Sequence, residues 1–328
     1  MRQGRRQMGR VPTVDEVRAH LNARGLLRLV NASVELVAAR NHLVFRVEKA
    51  GQVFCLRMIN PESYRRHEWI TMAEEYALLR AIEPIGLGPQ AYYLDKHFEP
   101  PFLIQEFVRA ACFNDLKPLA EEHLTAAARA IAILNAMDIS PAHFPFMRKY
   151  VRKDYGGSGR VWYFRLFDSL RRLPRRDVLR WALRILPLIG RTMGLLSRTA
   201  PLLGSEFSFH FDGAHCGNTY WRDGRVLFLD WQKVSWRNDP SFTLVRFATS
   251  AGEGGIVPES VWQTLIAAYT EVRPLPDFGE LAWVRFVERQ VADLVWVLWD
   301  HARRQDSRPV EQGTSVVPRY AEVRRMLR

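Results

Sequence analysis

The stretch from residue 208 to residue 247 contains the side chains whose types and order could perform chemistry. His210 and Asp212 come first, Asn218 follows them, and Asp230 comes after a predicted β-hairpin. The carboxylate of Asp212 could orient a hydroxyl group and accept its proton. Amide and carboxylate oxygens, here of Asn218 and Asp230, are ligands that Mg²⁺ takes alongside phosphate oxygens. Because kinases divide their work among an aspartate, an asparagine and a second aspartate in this order, the stretch predicts metal-assisted phosphoryl transfer from ATP.

The hairpin between the two candidate metal ligands is predicted from its turn. The pair Asp223-Gly224 favours a tight turn and lies between Tyr220-Trp221 and the apolar run 226–229. Asp230 would then stand at the end of the second strand, where the next loop starts. The whole stretch is thus predicted as a loop, a hairpin and a second loop, with Asn218 and Asp230 in adjacent loops. Isolated aspartates are also common as turn formers and caps, so the prediction depends on their order and spacing.

This stretch resembles the catalytic and metal-binding loops of the aminoglycoside phosphotransferase and choline kinase superfamily. That family usually has His-x-Asp, four residues, Asn, a hairpin and then Ile-Asp-Trp or Ile-Asp-Phe. Leu229-Asp230-Trp231 is similar to the last part, and Asn238-Asp239-Pro240 is similar to the family's Gly-Asp-Pro. The resemblance implies that Asp212 and His210 are the catalytic pair, with Asp212 as the base and His210 bracing its loop.

The same resemblance assigns the remaining acidic and amide groups of the stretch. Asn218 and Asp230 would bind Mg²⁺, and Asp239 is a candidate substrate-binding residue. Two departures from the family pattern are visible: one extra residue before Asn218, with Gly213 as the inserted one, and Thr243 where the family often has an acid. A glycine could absorb the insertion as a local bulge. The insertion also leaves open an alternative, a catalytically weak nucleotide-binding or interaction module of the same fold.

Arg57 and Glu75 form a second candidate group. Arg57 lies in a predicted strand, residues 53–59, and Glu75 lies in a predicted helix, residues 68–82, that is followed by Leu87-Gly88-Pro89. Choline kinases carry arginine in a similar strand and a glutamate helix that ends in Leu-Gly-Pro. The resemblance implies that Glu75 holds Arg57 over the α- and β-phosphates of ATP. Glu74 is the alternative in register, and a solvent-facing arginine with an ordinary helix-surface glutamate is the structural alternative.

Residues 105–108 resemble the hinge between the two lobes of this family. Backbone groups of Gln105, Glu106 and Val108 would hydrogen-bond adenine there. We therefore place the domain boundary after residue 107. Residues 1–107 would form an N-lobe, with a nucleotide-covering sheet and a basic N-terminal extension. Residues 108–328 would form a C-lobe with the catalytic loops, the metal loops and the acceptor pocket.

The predicted elements follow the order expected for that fold. A helix is predicted from residue 11 to residue 25, with Thr13 as its N-cap. Apolar runs predict several strands after it. The predicted strands are 34–47, interrupted at Asn41-His42, then 53–59, 91–94 and 102–107. Later segments, above all 118–136 and 280–304, have helical periodicity. The resemblance implies an α+β, bilobal protein-kinase-like fold, with a small antiparallel-sheet N-lobe and a larger, mostly helical C-lobe. The order of strands before helices agrees with it.

Trp296 and Trp299 are the candidate contacts for the acceptor. The segment 296–300 resembles a Trp-Gly-Leu-Trp-Ser segment of choline kinases, whose aromatic rings help to enclose a quaternary ammonium group. This implies a choline-like amino alcohol as acceptor, with a sugar as the other expectation. Tryptophans on an apolar helix are more often simply part of the core.

The net charge of +12 favours anionic partners. ATP, an anionic substrate or a membrane surface would satisfy it, and the basic helical region 147–198 could contact an anionic surface or frame an acidic acceptor. A solvated arginine face is the alternative there. No motif for nucleic acid accompanies the charge, so we expect a small-molecule acceptor as the partner. No apolar run reaches the length of a membrane span, the N-terminus lacks an apolar signal segment, and the three cysteines follow no disulfide pattern. We expect a cytoplasmic protein.

Overall fold

The computed structural model describes residues 10–63, 69–153, 158–204, 206–252 and 256–327. The chain divides into two compact units. The first consists of the residues up to Cys112 together with Asn218–Val234, and the second consists of Phe113–Gly217 and the residues from Ser235 onward. The segment 218–234 therefore belongs with the first unit, which a single boundary after residue 107 does not capture. Residues 1–9 of the basic N-terminal extension lie outside the described part of the chain.

The described residues form helices and strands that are numbered here in chain order. The strands are β1 (Ser33–Ala39), β2 (His42–Lys49), β3 (Gln52–Ile59), β4 (Ala91–Asp95), β5 (Phe102–Glu106), β6 (Ala111–Cys112), β7 (Val151–Arg152), β8 (Ser208–Phe211), β9 (Thr219–Arg222), β10 (Arg225–Phe228) and β11 (Val234–Arg237). The helices are α1 (Val14–Arg24), α2 (Met72–Ile82), α3 (Glu121–Ala136), α4 (Ser158–Arg172), α5 (Arg176–Thr199), α6 (Phe242–Ala251), α7 (Glu259–Val272), α8 (Phe278–Arg303), α9 (Val310–Gly313) and α10 (Val316–Met326). Among these helices none is both long enough and apolar enough to cross a membrane.

The first unit is built on a five-stranded sheet with the order β1-β2-β3-β5-β4. Every neighbouring pair in it is antiparallel, which confirms the sheet predicted from the alternating apolar runs. Phe45, Leu56 and Ile104 fill one side of it together with residues of α1. In this register Arg57 lies opposite Leu103 on β5, in the middle of the sheet.

The cap of α1 was predicted from the sequence, whereas the cap of α2 was not, and this second cap decides which glutamate faces Arg57. Thr13 caps α1 in a capping box with Glu16. Thr71 and Glu74 form the equivalent box at the start of α2, with the Thr71 N–H donating to Glu74 at 2.8 Å. Glu74 is therefore used by the cap, and Glu75 is the completely buried residue of the two. The helix begins at Met72, because Thr71 caps its N-terminus. The predicted start at residue 68 lies outside the described residues.

The hairpin β9–β10 forms as its turn predicts. Asp223 and Gly224 both have positive φ, 51° and 78°, as a tight two-residue turn requires. The hairpin is tied to the first unit because the Phe228 N–H donates to the Leu87 carbonyl at 2.9 Å. Trp231 is completely buried beside Gly88. Gly88 and Trp231, which both belong to segments that resemble the family, therefore pack against each other.

The second unit is mostly helical, with a small sheet in the order β7-β11-β8. Its main core joins α4, α5, α8 and α10. The sequence prediction of two plain loops around the hairpin is wrong here, because the supposed loops contain β8 and β11. The residues of β8 alternate between polar and apolar types, Ser-Phe-His-Phe, but all four are buried and the run has only four residues, the shortest length at which alternation indicates a strand. The run Gly-Gly-Ser-Gly at residues 156–159 predicts a flexible turn. Residues 156 and 157 lie outside the described part of the chain, and Ser158 begins α4.

Candidate functional site

Arg57 is the centre of a buried polar cluster in the first unit. Its Nη1 donates to Glu75 on α2, and its Nη2 donates to Asp230 in the loop after β10. Nη2 also lies 3.0 Å from Nδ1 of His42, at the start of β2. The predicted pair of Arg57 and Glu75 is therefore present, and the structure adds two partners to it. The sequence predicted His42 only at the interruption between two strands, so its contact with Arg57 was not foreseen.

Burial and charge act against each other in the Arg57 cluster. Burial alone lowers the pKa of Arg57, but the carboxylates of Glu75 and Asp230 outweigh it and raise the pKa above its ordinary value. Burial raises the pKa of Glu75 to about 7, although Arg57 opposes that shift. Burial, and then the charge of Arg57, holds the pKa of His42 well below its usual range, so this ring is a neutral hydrogen-bond partner. Oε2 of Glu75 is buried without a hydrogen-bond partner among the described residues.

Asp230 and Asn218 are brought together by the hairpin. The N–H of Leu229, the residue before Asp230, donates to the carbonyl of Asn218 at 2.9 Å. Asp230 adopts a left-handed backbone, with φ of 64°, which is uncommon outside glycine and clusters at functional sites. Its second oxygen accepts a hydrogen bond from Gln232 at 3.1 Å. A carboxylate and an amide on neighbouring backbone are a donor set that fits Mg²⁺.

The predicted hinge residues lie at the end of β5. Gln105 is buried opposite Cys55 of β3, and its Oε1 has no hydrogen-bond partner among the described residues. The N–H of Glu106 donates to Gln90 at 2.8 Å, and its carboxylate accepts from Arg222. That N–H is therefore used inside the first unit, and contact of adenine with the Glu106 carbonyl and with the backbone of Gln105 and Val108 stays a prediction.

Asp212 lies in a tight turn that follows β8 in the second unit. The N–H of Ala214 donates to the Phe211 carbonyl at 3.2 Å, so Asp212 and the extra residue Gly213 occupy the two central positions of the turn. The Asp212 carboxylate is one-fifth exposed. Its Oδ1 accepts from the hydroxyl of Ser235, so the side chain is held without being removed from solvent.

Arg237 on β11 holds the other oxygen of Asp212. Nη2 of Arg237 lies 3.2 Å from Oδ2 of Asp212, and Nε donates to Ser235 at 2.7 Å. The guanidinium also lies 3.6 Å from the ring centroid of Phe242, a cation–π contact that fixes its plane. Neither Ser235 nor Arg237 was identified from the sequence, because only the pairing of β11 beside β8 places them at Asp212.

His210 is completely buried on β8 and braces the start of the Asp212 turn. Its Nε2 lies 3.0 Å from the hydroxyl of Ser208, and its Nδ1 lies 2.9 Å from the hydroxyl of Thr243. Burial, together with the charge of Arg237, lowers the pKa of His210 to about 3. The ring is thus neutral and held between two hydroxyl groups, as a positioning residue would be. Thr243, which departs from the family pattern, supplies one of these partners.

Asp239 is completely buried and its two oxygens have internal partners. One accepts from Nε of Arg285 on α8, and the other accepts from the N–H and the hydroxyl of Ser241 at 3.0 and 2.7 Å. Burial alone would raise the pKa of Asp239, but Arg285 and Ser241 outweigh it and hold the pKa below its usual range. Asp239 borders a cavity of about 280 Å³ in the second unit. Its predicted contact with substrate stays a prediction, whereas its role in fixing α8 is visible.

Trp296 and Trp299 have different partners, and their predicted contact with the acceptor stays a prediction. Trp296 is 43% exposed and borders a second cavity of about 380 Å³ together with Arg165, Arg289 and Arg319. The indole N–H of Trp299 donates to Asp168 at 2.8 Å, and the guanidinium of Arg165 lies 5.6 Å from its ring centroid. The side chains around both tryptophans are thus rich in arginine.

The basic helical region has an exposed apolar side. Phe164 and Phe167 on α4 are 66% and 71% exposed, and Leu183 on α5 is 60% exposed. Arginines of α5, among them Arg180 and Arg184, lie around Leu183. Contact of this region with an anionic surface stays a prediction.

Comparison with protein families gives one match. The model described as APH, phosphotransferase enzyme family, matches residues 33–275. That segment is more than half of the 328 residues and includes all members of the Arg57 cluster and the Asp212 turn. No match to the chain was found among curated proteins.

Solved structures with a similar fold are kinases of small molecules by their names. A choline/ethanolamine kinase family protein from Mesorhizobium loti has a TM-score of 0.59 at 15% identity, with 95% of this chain and 94% of that chain covered. A choline kinase from Cryptosporidium parvum has a TM-score of 0.60 at 10% identity, with 96% and 95% covered. The ADP-bound aminoglycoside phosphotransferase APH(2'')-Ib has a TM-score of 0.55 at 14% identity, with 95% and 97% covered.

Identities this low show the fold alone, and that fold is the α+β, protein-kinase-like one with a small antiparallel-sheet unit and a larger, mostly helical unit. The family itself follows from the sequence match across residues 33–275. The chain therefore belongs to the phosphotransferase enzyme family.

Proposed function

We propose that this protein transfers the γ-phosphate of ATP, with Mg²⁺, to a hydroxyl group of a small molecule. The observation that carries the proposal is the contact of Arg57 with both Glu75 and Asp230. An isolated buried arginine would be costly, and here two carboxylates from separate elements hold its planar fork in place. Such a fork matches phosphate oxygens in a bidentate way. Arg57 would therefore bind the α- and β-phosphates, with Glu75 as its anchor.

Asp230 and Asn218 would hold Mg²⁺ in this scheme. Two protein oxygens leave the remaining ligand positions to phosphate oxygens and water, which is how Mg²⁺ is commonly bound with nucleotides. The metal, when bound, would neutralise charge that develops on the phosphate oxygens. Gln105, Glu106 and Val108 would contact the adenine.

Asp212 would act on the acceptor. Its carboxylate would orient the hydroxyl and take the proton while the hydroxyl oxygen bonds to the γ-phosphorus. The bond between that phosphorus and its bridging oxygen breaks, and ADP leaves with the electron pair. Arg237 and Ser235 would position Asp212, and His210 would brace the turn that carries it. Positioning of this kind supplies most of the catalysis in phosphoryl transfer.

Of the two expected acceptors, a choline-like amino alcohol and a sugar, the surroundings of the tryptophans favour the sugar. Guanidinium groups of Arg165 and Arg303 each lie 5.6 Å from the centroid of Trp299. A quaternary ammonium group would meet charges of its own sign there. A neutral or acidic hydroxyl compound would not be repelled.

The test is ATP turnover with a panel of hydroxyl compounds, together with calorimetric titration of Mg-ATP. Asp212→Asn should lower turnover by about 100-fold or more while still binding Mg-ATP, and Asp230→Asn should lose Mg²⁺-dependent nucleotide binding. Asp223→Asn, in the exposed hairpin turn, is the matched control and should change neither. Full turnover in Asp212→Asn would exclude it as the base. Undiminished Mg-ATP binding in Asp230→Asn would exclude it as the main metal ligand.

The same measurements distinguish the alternative, a nucleotide-binding module without turnover. The extra residue in the Asp212 turn and the engagement of Asp230 by Arg57 are the features that favour this alternative. It predicts that Mg-ATP raises the Tm and that no acceptor in the panel is phosphorylated. A protein whose Tm does not respond to Mg-ATP would contradict both readings.

A further inference from the structure

Two adjacent cavities of the second unit share Arg289 and Ala292 of α8 in their walls. The first has a volume of about 280 Å³ and the second about 380 Å³. Their charged wall residues are five arginines and three carboxylates, namely Arg165, Arg246, Arg285, Arg289, Arg319, Asp239, Glu288 and Asp293. The walls are therefore basic.

The three carboxylates are already paired with arginines, and the remaining arginines give the cavity walls a net positive charge. Arg285 takes both Asp239 and Glu288, and Asp293 pairs with Nη2 of Arg289 at 3.0 Å. Within the described part of the chain, no carboxylate lies within ion-pair distance of Arg246. Nε of Arg246 and Nε of Arg289 are also buried without hydrogen-bond partners among those residues. A charged donor that is buried without a hydrogen-bond partner is unfavourable, and a bound anion would supply the missing partner.

The two unsatisfied arginines also act on each other. Burial lowers the pKa of Arg246, and the nearby charge of Arg289 lowers it further. The carboxylates of Asp212 and Asp293 oppose this effect of Arg289, and the charge of a bound anion would act in the same direction as those carboxylates. Arg165 and Arg319 border the second cavity, and Nη1 of Arg319 is buried without a hydrogen-bond partner in the described residues.

The first cavity is connected to Asp212 through named contacts. Phe242 borders the cavity, its ring lies 3.6 Å from the guanidinium of Arg237, and Arg237 holds Asp212. Asp212 is also close enough to Arg246 for its charge to act on that guanidinium. A molecule anchored at Arg246 would thus have its other end near Asp212.

We propose that this cavity binds the acidic group of the acceptor, so that the substrate is a hydroxyl compound that carries a phosphate or a carboxylate. Arg246 and Arg289 bind the acidic group, and the hydroxyl lies at Asp212. This inference rests on the proposed function for the role of Asp212 and adds the chemical class of the acceptor. It excludes the cationic acceptors that the tryptophan segment suggested.

The test compares three compounds of one carbon skeleton, glycerol, glycerol 3-phosphate and glycerate, by calorimetric titration of the full chain. At least one of the two acids should bind about 10-fold or more tightly than glycerol, as charge-assisted hydrogen bonds predict. The stronger binder of the two identifies the acidic group as phosphate or carboxylate. Equal binding of the three compounds would overturn the proposal.

Variants locate the binding. Arg246→Gln and Arg289→Gln should each remove most of the preference for the acid, Arg246→Lys should keep part of it, and Arg191→Gln, at an exposed position of α5, should keep all of it. Circular dichroism checks that each variant is folded. A preference that survives Arg246→Gln and is lost in Arg57→Gln would place the anion at the nucleotide residues and overturn the proposal. Since no nucleotide is present, a negative result here leaves phosphoryl transfer untouched.

Discussion

Arg237 donates to Asp212 with 3.2 Å between Nη2 and Oδ2, while its own guanidinium lies over the ring of Phe242, 3.6 Å from the centroid. The carboxylate proposed as the base is thus oriented by a cation that is itself immobilised. Because the carboxylate is already ordered, little conformational freedom is lost when it binds the acceptor hydroxyl, and this favours precise placement of that hydroxyl. The contact makes Arg237 the first residue to vary after Asp212.

Replacing Arg237 should separate catalysis from nucleotide binding. Arg237→Gln should lower kcat by about 10- to 100-fold, because a misplaced carboxylate loses part of its orienting effect, and it should leave the Kd for Mg-ATP unchanged. Arg237→Lys keeps the charge without the planar fork and should recover only part of the loss. Steady-state kinetics and calorimetry measure the two quantities. Equal losses in kcat and Mg-ATP affinity would show that Arg237 acts on the whole fold instead.

Glu75 and Glu74 offer a matched pair on one helix. Glu75→Gln should weaken Mg-ATP binding by about 10-fold, since Arg57 loses a charged partner. Glu74→Gln should have little effect, because glutamine also serves in a capping box. The pKa of Glu75 is raised to about 7, so its carboxylate is charged above that pH and protonated below it. The advantage of the unmodified protein over Glu75→Gln should therefore shrink between pH 8 and pH 6. An advantage that is constant over this range would contradict the titration of Glu75.

His210 should make the protein sensitive to acid. Its pKa is lowered to about 3 in the folded protein from 6.5, so the unfolded chain binds the proton more readily and stability is lost as the pH falls below 6.5. At pH 5 the expected contribution is a loss of about 2 kcal/mol in the free energy of unfolding relative to pH 7.5. Urea unfolding of His210→Gln should show a pH dependence smaller by that amount, with His143→Gln, at an exposed position, as the control. If both variants keep the full dependence, another group is responsible.

Gly88 tests the packing of the hairpin against the first unit. A Cβ at this position would lie 2.8 Å from Cδ1 of Ile82 and 3.3 Å from Nε1 of Trp231. Gly88→Ala should therefore lower the free energy of unfolding by about 1–3 kcal/mol through overpacking. Gly190→Ala on α5 has no atom within 4 Å of the new Cβ and should raise stability by about 0.5–1 kcal/mol, as in an ordinary helix interior. Urea denaturation compares the two, and equal effects of the same sign would contradict the packing contact.

Local chemistry explains which elements were predictable. The capping box at Thr13 and the turn at Asp223-Gly224 were predicted because they depend on residues three or fewer positions apart. The pair of Arg57 and Glu75 joins elements 18 residues apart and was predicted through the resemblance, not through spacing. The strand β8 was missed because its alternation of Ser, Phe, His and Phe lasts only four residues, the lower limit for such a pattern, and its polar residues were interpreted as part of a catalytic loop.

Order and residue type within 208–240 were therefore enough to predict a phosphotransferase and its candidate carboxylates. Only the tertiary structure decided what surrounds them. Asp239 meets Arg285 across 46 residues, and Trp299 meets Asp168 across 131, separations at which no local pattern constrains a contact. The arginine-rich walls that argue against a cationic acceptor arise because α4, α6, α8 and α10 are folded around shared cavities. A sequence lists those charges in order along the chain, whereas their electrostatic effect depends on the distances between them in space.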